Sequence, residues 1–118
     1  MPFDIASLGL NLGKSILDTL KNDSGKVKAL AIKEGETLAQ CLAKIAELLA
    51  NGDIDREEAA IMVGVQKDAS EAVLSMLAEI SRVSARKAVT KALKGAVTLV
   101  DGAAGVPFLG TVLKVLSK

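Results

Sequence analysis

Apolar residues recur at steps of three and four through almost the whole of this 118-residue chain, and strict alternation of apolar and polar residues is nearly absent. That spacing fits the 3.6-residue turn of an α-helix and leaves little room for a sheet. Strong helix formers, Ala, Leu and Lys among them, fill the periodic segments. The expected class is all-α, with about four helices. The length suits one domain with a single core and no disulfide or metal staples, so residues 1–118 are read as one helical domain.

Residues 4–21 set Ile5, Leu8, Leu12, Ile16 and Leu20 on one stripe, widened by Leu10 and Leu17, with Asp4, Lys14, Asp18 and Lys21 on the polar side. This is a short amphipathic helix that Gly9 and Gly13 weaken. Lys21 to Gly25 reads as a turn, with Asp23 or Ser24 as N-cap of a second helix over residues 24–50. Its seam, Ala31, Gly35, Leu38, Leu42, Ile45 and Leu49, alternates steps of four and three and favours shallow packing on another long helix. At Asn51-Gly52-Asp53-Ile54-Asp55 the pattern stops. Gly52 suits the left-handed position after a helix end, and Asp55 with Glu58 forms a capping box for the next helix. So short a connection predicts an antiparallel hairpin.

Beyond the turn, Met62, Val65, Ala69, Val73, Met76, Ile80 and Val83 form a second seam, continued by Ala85, Val89, Ala92, Ala96 and Val100. Residues 55–100 are read as a long or kinked helix. An unbroken helix over residues 56–94 would extend about 58 Å at 1.5 Å per residue, against roughly 35 Å for a compact domain of this length. Either it bends, at Gly64 or between Ser81 and Ser84, or copies bury the overhang. The absence of Pro there favours the long helix. A turn at Asp101 to Gly105 then precedes a terminal helix over residues 107–117, with Pro107 in its first turn and Leu109, Val112, Leu113 and Leu116 on one face. The expected architecture is an antiparallel hairpin of two long helices, with a short N-terminal amphipathic helix and a short C-terminal packing helix.

The chain has no His, Tyr or Trp and a single Cys. The usual proton shuttle and the commonest metal ligand are missing together, so the expected protein is not an enzyme. No catalytic, metal or cofactor-binding residue is assigned, and no cofactor is expected. Gly13-Lys14-Ser15 ends like a phosphate-binding loop, but Leu8 stands where the first Gly of that loop is required, and no strand precedes it. Gly52 to Glu58 matches half a calcium loop, but Leu49 would fall on a ligand position. Asp53, Asp55, Glu57 and Glu58 cluster in a polar turn and helix start, where burial that would separate their pKa values is not expected. Cys41 reads as a small core residue in a reducing compartment. Met1-Pro2-Phe3-Asp4 has none of the features of a signal peptide, so a cytoplasmic protein is expected.

Charge is unevenly placed. Residues 1–51 are neutral, residues 52–79 carry a balance of −5, and residues 80–118 a balance of +6. Such a split suits antiparallel packing of the two blocks or head-to-tail contact between copies. The leading expectation is a non-enzymatic interaction or structural module that self-associates into a homo-oligomer or filament. Its candidate interaction residues are the basic set Arg82, Arg86, Lys87, Lys91 and Lys94, with Leu109 and Leu113 of the apolar C-terminal segment. The alternative is a membrane-active protein that docks or inserts through its first helix and that segment, although Asp101, Pro107 and four Gly disfavour a single span over residues 93–116. A third reading is phosphate or nucleic-acid binding by the basic stripe. With no aromatic platforms in that stripe, nucleic acid is the weakest of the partners considered.

Overall fold

A helix stops where its last carbonyls or first amides find other partners, and this chain provides such stops at more places than the apolar periodicity reveals. A computed structural model describes residues 4–22 and 24–116, with the side chain of Leu116 outside that description. Among the described residues there are six helices and no strands: α1 (Ile5–Leu20), α2 (Gly25–Ala50), α3 (Arg56–Leu77), α4 (Arg82–Gly95), α5 (Val97–Ala104) and α6 (Leu109–Leu116). The all-α class holds, and the expected number of about four helices becomes six. Asp23, the alternative N-cap of the second helix, lies outside the described residues, as do Met1 to Phe3, Ser117 and Lys118.

The caps explain the boundaries. The Asp4 carboxylate accepts from the amides of Ala6 and Ser7 and from the Ser7 hydroxyl, which opens α1. Lys21 closes it in the left-handed region, with φ 52°. The Ser24 hydroxyl accepts from the Val27 amide and starts α2. Gly52 takes φ 77° after α2, and Asp55 and Glu58 complete the reciprocal capping box at the start of α3.

The long or kinked helix expected over residues 55–100 is broken twice, at neither point at Gly64, which lies inside α3. The first break falls at residues 78–81, where Glu79 adopts φ 57° and Ser81 accepts from the Ser84 amide to begin α4. A non-glycine residue in the left-handed region costs about 1–2 kcal/mol, and the new cap at Ser81 together with burial of Ala78 offsets it. The second break is a single residue, Ala96, between α4 and α5. The result measures 41 × 29 × 18 Å, which the unbroken helix would have overrun.

The core is Leu, Ile, Val and Ala with one Phe, drawn from all six helices. Its tightest contact is between α1 and α2. Gly9 and Gly13 sit one turn apart on α1 and face Gly35 on α2, and a Cβ on Gly35 would stand 2.5 Å from both the Gly13 nitrogen and the Gly9 oxygen. The two backbones therefore touch. Gly9 and Gly13, expected to weaken the first helix, are what allow it to approach the second. Elsewhere Leu38, Cys41 and Leu42 of α2 meet Val63 and Gln66 of α3, residues at similar distances from the turn at Gly52. The inner face of α4, Ala85, Ala88, Val89, Ala92 and Leu93, is fully enclosed.

Candidate interaction surfaces

Helix α3 is turned against expectation. A helix on a core normally buries its apolar stripe and exposes its charges. Here Ala59, Val63 and Leu74 are buried together with Lys67, Ser70 and Glu71. Ile61, Val65 and Met76 are 66 %, 66 % and 74 % exposed, with Ala69 between them also exposed. Of the expected seam, Val65, Ala69, Met76 and Val83 face out, and only Met62, Val73 and Ile80 are half-buried.

The inward polar residues satisfy one another. The Lys67 ammonium donates to Glu71 one turn on, and the Gln66 side chain donates to the Ser70 hydroxyl at 3.2 Å. The second Glu71 oxygen lies 4.0 Å from Arg86 Nε of α4. Among the described residues no buried side-chain polar atom lacks a partner. That mutual pairing is what allows charge to face the core.

The basic residues of α4 lie where the sequence places them. Arg82, Arg86, Lys87, Lys91 and Lys94 are all exposed. Apart from the contact of Arg86 with Glu71, none of them forms an ion pair among the described residues, and neither do Asp53, Asp55, Glu57, Glu58 or Asp68. The acidic block does pack on the basic block, through α3 on α4 and α6, but among the described residues the ion pairing between them is confined to a single long contact.

Leu109 and Leu113 lie elsewhere. They are buried in the core on α6 and form no surface in this fold. Asp101 of α5 holds the start of α6, accepting from the Phe108 and Leu109 amides at 3.1 and 2.8 Å. The sequence gives no short-range signal for this cap, because the acceptor is seven and eight residues from its donors. Pro107 therefore precedes the last helix, which begins at Leu109. Between the start of α3 and α6 an apolar groove of about 340 Å³ is lined by Ala60, Pro107, Phe108, Val112 and Val115, with Arg56 and Glu57 at its edge.

The remaining motifs are absorbed by structure. Gly13-Lys14-Ser15 lies inside α1, with Gly13 pressed on the backbone of Ala31 and Ile32. Asp55 and Glu58 are engaged in the cap of α3. Burial pushes the Cys41 thiol up from its ordinary pKa. Among the described residues no three His, Cys, Asp or Glu side chains converge as metal ligands. Nor, among those residues, is any helix long and apolar enough to cross a membrane. No family model, curated protein or solved structure matches this chain.

Proposed function

We propose that this chain is a non-enzymatic helical module whose role is to associate with copies of itself. The observation that carries this reading is the outer face of α3, where Ile61, Val65 and Met76 stand in solvent while Lys67 and Glu71 occupy the interior. Isolated exposed apolar residues are common, but several sharing one helical face mark a surface that another protein covers. The two charged blocks add a second reason, since among the described residues most of their charges form no ion pair within the chain and are available to register two copies.

The test is the absolute mass by light scattering over a concentration and salt series. A mass above 12.2 kDa that falls on dilution is the expected result. Exchange of Lys87, Lys91 and Lys94 for Glu should lower that mass without altering the helical circular dichroism. A monomer at every concentration removes the proposal.

A further inference from the structure

The outer face of α3 has enough internal pattern to specify how a second copy would sit on it. Val65, Ala69, Ala72 and Met76 follow one another at steps of four, three and four, the spacing of a helix–helix seam. All four lie on the side of α3 opposite its buried Val63, Lys67, Ser70 and Leu74. The seam is symmetric about its middle. Its two inner positions are Ala and its two outer positions are large, so two such helices laid antiparallel would place Ala69 against Ala72 at the crossing and Val65 against Met76 on either side. Small residues at the crossing let the helices approach, and the large ones close over them.

Charge selects the same orientation. The N-terminal end of α3 is acidic on balance, with Glu57 and Glu58 in its first turn beside Arg56 and with Asp53 and Asp55 in the turn before it. Its C-terminal end is followed by Glu79 in the break and Arg82 at the start of α4, while Arg86 reaches back to Glu71. A parallel pairing would set the two acidic ends against each other. The antiparallel pairing separates them and sets each beside Arg82 of the other copy, twice, by symmetry. At 22 residues α3 is about 33 Å long, and the four seam positions take up about 16 Å in the middle of it.

We propose that two copies of this chain form a two-fold symmetric dimer through the outer face of α3, antiparallel, with Ala69 opposite Ala72 and Val65 opposite Met76. This rests on the self-association reading above and adds its surface, orientation and register.

The experiment is site-specific cross-linking of the full chain in a Cys41→Ala background. Val65→Cys and Met76→Cys are prepared separately and oxidised, alone and mixed. The mixture should give a covalent dimer and each variant alone should not, because like positions would lie eleven residues apart along the axis, about 16 Å, well beyond the reach of a disulfide. Covalent dimer from either variant alone would overturn the antiparallel register. In parallel, Val65→Lys should weaken the dimer at least about tenfold, while its helical circular dichroism follows wild type, since the position is exposed. Wild-type protein that stays monomeric removes both this dimer and the broader reading. Wild-type oligomer that neither responds to Val65→Lys nor cross-links in the mixture removes this dimer alone and leaves self-association through another surface.

Discussion

The α1–α2 pair and helix α3 answer the same packing problem in opposite ways. In the pair, three glycines bring one backbone onto the other. In α3, an ion pair and a hydroxyl are admitted to the interior and the large apolar side chains are left outside. The first arrangement completes itself within one chain. The second leaves its large apolar side chains in solvent.

The contrast between the two halves is most directly broken at Glu71. Glu71→Ala leaves the Lys67 ammonium buried without its partner, and loss of one member of a buried pair costs about 3–5 kcal/mol. Chemical denaturation should show this as a large fall in midpoint. The double change Lys67→Met with Glu71→Leu removes both charges, and for buried pairs such replacement is neutral or stabilising. If the double variant is as unstable as the single one, the pair contributes more than mutual compensation and the contrast narrows.

Gly35→Ala attacks the other side. The added Cβ meets backbone atoms, not a flexible side chain, so the helices must separate, at about 1–3 kcal/mol for overpacking of this kind. On propensity alone, Ala in mid-helix would stabilise by up to about 1 kcal/mol relative to Gly. The sign of the measured change in denaturation midpoint therefore decides whether the close approach governs the pair.

The smallest effect is expected at Asp4. Its hydrogen bonds from the Ser7 hydroxyl, then from the Ser7 and Ala6 amides, hold its carboxyl below the usual Asp range. A group whose folded pKa is depressed contributes stability that is present above the unfolded value and is lost as pH falls through the folded one. Asp4→Asn retains a capping acceptor but removes the titration, so its stability should fall less steeply than that of wild type on acidification below about pH 4. Urea midpoints at pH 7 and pH 2.5 compare the two.

The stripes of α1 and α2 were legible in the sequence because burial follows periodicity there: Leu8, Leu12, Ile16, Leu38, Leu42 and Ile45 are all enclosed. What periodicity missed in this region was the use of Gly9 and Gly13, since a glycine that lowers helix propensity and one that admits a neighbouring backbone look alike until the facing Gly35 is placed opposite them. In α3 the expected stripe was displaced around the helix. Lys67 and Glu71, one turn apart, can satisfy each other, and a pattern that scores each residue as polar has no means of counting the two as a single buried unit. The break at Glu79 was legible only as one of two candidate bends, Gly64 and Ser81 to Ser84. No Pro marks it, and the Ser81 cap that sustains it is local chemistry inside an otherwise continuous apolar pattern. The exposure of the basic residues of α4 was readable because they lie opposite an Ala-rich inner face. The burial of Leu109 and Leu113 was not, because an apolar segment looks the same whether its cover is a core, another copy or lipid.

The glycine contact between α1 and α2 also bears on the order in which the chain assembles. Only four residues separate the two helices, so bringing them together closes a short loop at little cost in chain entropy. The residues that then touch are near neighbours in sequence, and pairings of this kind form early in folding. Residues 5–50 therefore hold a contact of low closure cost, whereas the first turn of α6 takes its cap from Asp101 of the preceding helix.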